Sequence, residues 1–87
     1  MAMWKEINGK LVCTFKFESF AMAFSFLNEV AALAERLNHH PTIYNEYNLV
    51  RLELTTHDAG GVVTPLDWEL AQAINETDTQ GELLISE

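Results

Sequence analysis

The sequence has few of the residues on which several classes of protein depend. It contains one cysteine, Cys13, and two prolines among 87 residues. A single thiol can form neither an internal disulfide nor a cysteine-rich zinc site, so both are excluded. No run of about 18 apolar residues is present, and no basic stretch followed by an apolar run occurs in Met1 to Lys10. We therefore expect a cytoplasmic protein that does not enter a membrane.

Basic residues are scarce as well. Five Lys and Arg stand against 13 Asp and Glu, which gives a formal net charge of −8 at pH 7. Such a charge repels a phosphate backbone, so direct binding to nucleic acid is not expected. An apolar content of 48% predicts one folded domain over residues 1–87. Because so small a domain buries only part of its surface, a homodimer or homotetramer is expected.

The first part of the chain predicts a hairpin and a helix. Asn8-Gly9 favours a tight turn within Met3 to Glu18, and the apolar residues that follow the turn alternate. Ser19 is a suitable N-cap for a helix that ends at about Asn38 to His40, because Pro41 disfavours helical geometry before it. The inward positions of the strand are predicted to be Leu11, Cys13, Phe15 and Phe17. The buried stripe of the helix is predicted to be Phe20, Phe24, Leu27, Val30 or Ala31, Ala34 and Leu37.

The second part predicts two strands and a second helix. Thr42 to Tyr47 and Leu49 to Thr56 are rich in β-branched and aromatic residues. After a loop with two glycines, Thr64 and Pro65 begin a helix that runs to about Glu76. Its buried stripe is predicted to be Leu66, Leu70, Ala73 and Ile74, with Trp68 facing away from it. The segment Thr77 to Gly81 is predicted to be turn-like, and Glu82 to Ile85 is too short to assign.

The order of these elements predicts the fold class. A β-β-α-β-β-α arrangement is typical of a two-layer α+β protein. We expect a four-stranded antiparallel sheet with the helices packed on one of its faces.

Three histidines form the clearest candidate site. His39 and His40 are adjacent at the predicted helix end, and His57 follows a predicted strand. Glu35 precedes His39 by four residues, so on a helix the two side chains share a face and are predicted to form a hydrogen bond. An imidazole with a pKa of about 6.5 exchanges protons readily at neutral pH. The cluster therefore suits acid/base chemistry such as a dehydration.

The spacing of these residues forms a longer pattern. It runs Glu35, three residues, His-His-Pro at 39–41, five residues, Tyr47, nine residues, His57, and a spacer that ends at Asp67. This pattern closely resembles the signature of the pterin-4a-carbinolamine dehydratase family. The similarity covers roughly Trp4 to Asn75.

The resemblance implies a reaction and a set of roles. The reaction is the dehydration of 4a-hydroxytetrahydrobiopterin to quinonoid dihydrobiopterin in tetrahydrobiopterin recycling, by a hydro-lyase that uses neither a metal nor a cofactor. By the same resemblance, the catalytic residues are His39, His57 and Glu35, and the substrate-binding residues are His40, Pro41, Tyr47 and Asp67.

Two other interpretations remain open from the sequence. Some relatives of the family act as dimerisation cofactors of a transcription factor, so the chain could be a binding module without an enzymatic role. Histidines with a carboxylate are also ordinary zinc ligands, although the familiar pair of histidines four residues apart on a helix is missing. Turnover that depends on a histidine and survives a chelator would distinguish the enzyme from both.

Overall fold

The secondary structure follows the predicted order and adds one short strand. The computed structural model describes residues 4–77, 79 and 82–84. The elements are β1 (Lys5–Ile7), β2 (Lys10–Lys16), α1 (Phe20–Leu37), β3 (Thr42–Glu46), β4 (Leu49–Leu54), a 3-10 turn (His57–Ala59), α2 (Pro65–Asn75) and β5 (Glu82–Leu84). The predicted α+β class is thus confirmed. In the part of the chain that is described, no helix is long and apolar enough to span a bilayer.

The strands form one antiparallel sheet in the order β1-β2-β4-β3. β1 pairs with residues 10–12 of β2, and β5 pairs with residues 14–16. Both therefore lie along the edge of β2 that faces away from β4. The segment that the sequence left unassigned extends the predicted four-stranded sheet by this short strand. Ile85 and most of the predicted turn at Thr77 to Gly81 lie outside the described residues.

The first hairpin has the tight turn that its sequence predicts. Asn8 and Gly9 adopt φ angles of 52° and 78°, which is the left-handed region that a type I′ turn requires. A Cβ atom on Gly9 would lie 2.7 Å from the carbonyl oxygen of Gly61. The hydroxyl of Thr55 donates a hydrogen bond of 2.9 Å to the carbonyl of Gly9. Glycine at this position thus lets the hairpin turn pack against the loop that follows β4.

The core lies between the sheet and the two helices. The four predicted inward residues, three in β2 and Phe17 directly after it, are each at most 5% exposed, and Val50, Leu52 and Leu54 of β4 are fully buried. The helices cover them with Phe26 and Val30 of α1 and with Leu70, Ala71 and Ile74 of α2. Full burial of a large apolar side chain contributes about 1.5–3 kcal/mol. The two layers are therefore held together mainly by this shared apolar interface.

The buried stripe of α1 differs from the prediction at its beginning. Phe20 and Phe24 are 49% and 44% exposed, and their rings contact each other at a centroid distance of 4.9 Å. Ala23 and Phe26 are buried in their place. The ring centroids of Phe26 and Phe15 are 4.9 Å apart, so Phe26 is the helix residue that packs on the large rings of the sheet. The helix is rotated accordingly, and only alanine faces the sheet one turn earlier.

The buried face of α2 also differs in its first turn. Leu66 is 47% exposed, whereas Asp67 is fully buried. Further along the helix, Ala71 rather than Ala73 belongs to the buried set. Trp68 is 51% exposed, as its spacing predicts. A carboxylate at the third helical position thus takes the inward place that periodicity assigns to leucine, because the buried groups around it satisfy its oxygens.

Candidate active site

The end of α1 determines where the adjacent histidines point. Asn38 caps the helix in the left-handed region, with φ 53° and ψ 43°, a conformation that asparagine tolerates better than most residues. The backbone N–H of His39 donates to the carbonyl of Ala34 at 3.0 Å. The chain therefore turns away from the helix axis directly before His39, and His40 continues towards β3.

His39 pairs with a carboxylate that lies 28 residues further along the chain. Its Nε2 atom is 2.6 Å from Oδ1 of Asp67. The His39 side chain is 12% exposed, and the Asp67 side chain is fully buried. The pair connects the end of α1 to the first turn of α2, so it joins the two helices at the edge of the candidate site.

The second oxygen of Asp67 accepts hydrogen bonds from two threonines. Oδ2 lies 2.7 Å from the hydroxyl of Thr56 and 2.8 Å from the backbone nitrogen of Thr64. Thr64 is the N-cap of α2, and its reciprocal bonds with Asp67 form a capping box. Asp67 therefore belongs to the helix start and to the candidate site at the same time.

These contacts keep Asp67 ionised. Burial acts to raise its pKa, but the hydrogen bonds from His39, the Thr64 backbone and Thr56 lower the pKa below its usual value. An ionised carboxylate only accepts hydrogen bonds, so Nε2 of His39 is the donor in this pair. The nitrogen of His39 that remains for another partner is Nδ1.

Glu35 pairs with a different histidine from the one predicted. Its Oε2 atom lies 2.6 Å from Nε2 of His40, whereas the expected partner, His39, is turned to Asp67. The left-handed residue Asn38 explains the change, because it rotates His39 away from the helix face that carries Glu35. The side chains of Glu35 and His40 are 77% and 56% exposed. This second carboxylate–imidazole pair is therefore surrounded by solvent.

His57 comes to the same place from the end of β4. It begins the 3-10 turn, and a bridge between Thr56 and Val62 closes the loop around it. An open pocket of about 270 Å³ has all three histidines in its wall. The other lining residues are Asn38, Thr55, Thr56, Asp58 and Leu66. The three imidazoles that the sequence singled out thus surround one cavity, whose volume is near the lower end for small-molecule sites.

The remaining predicted residues lie outside the wall of this pocket. Asp67 and Glu35 contact two residues of the wall, His39 and His40, and Pro41 precedes β3. Tyr47 lies in the β3–β4 turn with φ 52° and is 64% exposed. The five residues of β3 separate it from the pocket end of that strand, which is a distance of about 17 Å. Within one chain, Tyr47 is therefore not brought to the histidines.

Sequence reasoning missed Thr56, Thr64 and Leu66 as parts of the site. Thr56 was detectable, because it continues the inward alternation of Val50, Leu52 and Leu54, and a polar residue on a buried face needs a hydrogen-bond partner. In residues 4–77, 79 and 82–84, no three His, Cys, Asp or Glu side chains are placed to hold a metal ion together.

The fold and the pocket together define a small α+β protein with a histidine-lined site. A family model described as pterin 4 alpha carbinolamine dehydratase matches residues 1–77. The chain therefore belongs to the pterin 4 alpha carbinolamine dehydratase family.

Relatives that are provisionally named pterin-4-alpha-carbinolamine dehydratases support this assignment. A protein from Prochlorococcus marinus is 49% identical over 72 residues, which cover 83% of this chain and 74% of the relative. One from Chloroflexus aurantiacus is 51% identical over 73 residues, which cover 84% of this chain and 77% of the relative.

Two solved structures are also similar. The crystal structure of a transcriptional coactivator/pterin dehydratase from Brucella melitensis has a TM-score of 0.78 and 38% identity, and the match covers 83% of this chain and 78% of that one. A pterin dehydratase-like protein identified as a RuBisCO assembly factor in the alpha-carboxysome has a TM-score of 0.67 at 24% identity, over 85% of this chain and 84% of that one. The second likeness concerns the fold alone.

Proposed function

We propose that this protein is a hydro-lyase that dehydrates 4a-hydroxytetrahydrobiopterin to quinonoid dihydrobiopterin in tetrahydrobiopterin recycling. The observation that carries the proposal is the pocket whose wall contains His39, His40 and His57. Membership in the dehydratase family supports the same reaction. A cytoplasmic location is part of the proposal, and the single buried thiol of Cys13 agrees with a reducing compartment.

The reaction needs two proton transfers. The bond between the ring carbon and its hydroxyl oxygen breaks, the oxygen takes up a proton, and the neighbouring ring nitrogen loses one, so that water leaves. A positioned acid or base typically contributes about 10²–10⁴ in rate. No oxidant and no covalent nucleophile are required.

Asp67 favours His39 as the base. Its ionised carboxylate stabilises the imidazolium that forms when Nδ1 of His39 takes up the proton from the ring nitrogen. We therefore assign the base step to His39. His57, which lies in the wall of the same pocket after the end of β4, delivers a proton to the leaving hydroxyl.

His40 has a binding role in this proposal. It lines the pocket beside His39, and Glu35 holds its ring through Nε2. The next residue, Pro41, favours an extended backbone between His40 and the start of β3. His40 thus contacts the pterin ring, and Glu35 orients His40 rather than His39.

The test is an assay of dehydration with enzymatically generated 4a-hydroxytetrahydropterin. We expect turnover by the wild-type protein that persists after treatment with a strong chelator, and a loss of roughly 10²-fold or more in His39→Ala and His57→Ala. Lys16→Ala, which changes an exposed residue at the end of β2, is the control. Absence of wild-type turnover contradicts the proposal and favours a binding module, and turnover that the chelator abolishes favours a metal site.

We further propose that the chain forms a homodimer or a homotetramer. All five residues of the edge strand β3 are exposed, and Ile43 and Tyr44 are 43% and 53% exposed. Such an edge offers unpaired backbone groups to another strand. Antiparallel pairing of two β3 strands around Tyr44 would place Tyr47 opposite Pro41 of the second copy, which gives Tyr47 a route to the neighbouring pocket.

Light scattering coupled to size-exclusion chromatography tests this assembly. The wild-type protein is expected to elute as a dimer or tetramer, and Ile43→Lys should shift it towards the monomer. Lys16→Ala again serves as the control, because β2 is paired on both edges. A monomeric wild-type protein at micromolar concentration would contradict this part of the proposal.

A further inference from the structure

Two threonine hydroxyls form a chain behind Asp67 on the side away from His39. The Oγ1 atoms of Thr56 and Thr64 are 2.6 Å apart, and Oγ1 of Thr56 is 2.7 Å from Oδ2 of Asp67. Thr56 is 8% exposed, and Asp67 is fully buried. The direct distance from Oγ1 of Thr64 to Oδ2 is 3.5 Å, which is too long to compete with the shorter contacts.

The number of protons fixes the direction of each bond in this chain. Ionised Asp67 cannot donate a hydrogen bond, so Thr56 donates its single hydroxyl proton to Oδ2. The short contact between the two hydroxyls also needs one proton, which must then come from Thr64. The order is therefore Thr64 to Thr56 to Asp67. With the backbone N–H of Thr64, Oδ2 has two donors, and Oδ1 is left to His39.

We propose that Thr56 is a positioning residue that acts on His39 through Asp67. Its hydroxyl helps to hold the carboxylate ionised and correctly oriented, so that Nε2 of His39 carries the proton and Nδ1 is kept for the reaction. Thr56 lines the pocket with part of its surface, but its hydroxyl is engaged with Asp67 and Thr64. The kinetic consequence rests on the proposed function, whereas the tautomer of His39 does not depend on it.

Valine at position 56 would keep the shape of the side chain and remove the hydroxyl. Asp67 would lose one of its donors, and the hydroxyl of Thr64 would lose its acceptor. A hydrogen bond to a charged group that is lost in a buried site typically changes an equilibrium by about tenfold or more. Without the hydroxyl of Thr56, the carboxylate of Asp67 is less strictly held ionised and oriented towards Nε2 of His39. We therefore expect Thr56→Val to populate the Nδ1–H tautomer of His39 and to lower kcat about tenfold, with KM little changed.

The experiment combines nitrogen NMR of the histidine rings with steady-state kinetics. Long-range ¹H–¹⁵N spectra, recorded at a pH at which the imidazole is neutral, report which ring nitrogen of His39 carries the proton. Thr56→Ser keeps the hydroxyl and is expected to restore the wild-type tautomer and kcat. Thr77→Val is the matched control, because that threonine donates to the carbonyl of Ile74 at the far end of α2.

Three results would overturn the inference. The first is a wild-type His39 that is protonated on Nδ1, which is measurable even if Thr56→Val does not fold. The second is a Thr56→Val protein with the wild-type tautomer and kcat. The third is a Thr56→Ser protein as impaired as Thr56→Val. If the wild-type protein has no turnover at all, the proposed function fails, but the spectra still decide the role of Thr56.

Discussion

The candidate site contains two carboxylate–imidazole pairs of the same length in opposite surroundings. His39 and Asp67 lie 2.6 Å apart with side chains that are 12% and 0% exposed, and His40 and Glu35 lie 2.6 Å apart with side chains that are 56% and 77% exposed. In water, the attraction between two charges is weak and is screened by salt. The two pairs therefore differ in interaction energy although their distances are equal, and we expect the buried pair to control the site.

The support behind each carboxylate reinforces this difference. Asp67 has donors on both of its oxygens, and its pKa is lowered although burial opposes ionisation. Glu35 has a long side chain on the exposed face of α1. A carboxylate that is fixed by several donors can fix its histidine in turn, whereas one free to change rotamer cannot. We therefore expect His39 to be held in one orientation more strictly than His40.

Turnover gives the largest expected contrast between the pairs. Asp67→Asn should lower kcat by about 10²-fold or more, because the amide no longer stabilises a protonated His39. Glu35→Gln should lower kcat by less than about tenfold, since it only orients an exposed ring. Steady-state kinetics of both variants against the wild type provide the measurement. Equal losses in the two variants would show that burial does not separate the pairs.

Stability should separate the same two variants. Asp67→Asn replaces a buried acceptor of several hydrogen bonds, so we expect it to lower the free energy of unfolding by about 2–3 kcal/mol. Glu35→Gln should change the free energy of unfolding by less than about 0.5 kcal/mol. Urea unfolding followed by circular dichroism measures both. A destabilised Glu35→Gln protein would mean that the exposed pair contributes more to the free energy of unfolding than its exposure predicts.

The effect of pH on stability should depend on the buried pair. Because the pKa of Asp67 is lower in the folded protein than the value of about 3.9 for an unfolded chain, its contribution is present above that value. It is lost as the pH falls from about 4 through the lower folded-state pKa. Urea midpoints measured between pH 7 and the acid limit should therefore fall less steeply in Asp67→Asn than in the wild type.

Glu53 is a second group whose protonation is expected to lower stability in acid. Burial acts to raise its pKa, but hydrogen bonds from Arg51 and Lys10 lower the pKa overall. These residues lie on β2 and β4, and none of them lines the histidine pocket. A residual decline in Asp67→Asn is therefore expected. If the urea midpoint falls as steeply with pH in Asp67→Asn as in the wild type, the protonation of Asp67 is not the cause of the loss of stability in acid.

The sequence was sufficient for most of the elements and for the three histidines that share the pocket, but not for the pairing of these histidines with carboxylates. Local signals such as Asn8-Gly9, Ser19 and Thr64 begin or join elements where the structure has them, because turns and caps depend on neighbouring residues. The pairing of Glu35 depends on a single left-handed residue, Asn38. A helical projection that continues through the cap assigns Glu35 to His39, which is wrong.

The burial of Asp67 and the exposure of Leu66 have a tertiary cause. Periodicity ranks the two by hydrophobicity, whereas the structure places Asp67 inward because His39 and Thr56 offer it hydrogen bonds from distant parts of the chain. The same holds for Phe24, which is displaced from the core by Phe26 and the rings of β2. Such competition between side chains is absent from the pattern of a single element.

The smallest expected effect is the interaction energy within the exposed pair. A double-mutant cycle of Glu35→Gln and His40→Gln, measured by urea unfolding at a pH at which histidine is protonated, should give a coupling of less than about 0.5 kcal/mol. In 1 M NaCl, where charges are screened beyond about 3 Å, the coupling should fall further. The corresponding cycle of Asp67→Asn and His39→Gln should give a larger coupling that salt changes little, because both side chains are shielded from solvent. A salt-resistant coupling of similar size in both cycles would show that the 2.6 Å contact itself, and not its burial, sets the strength of each pair.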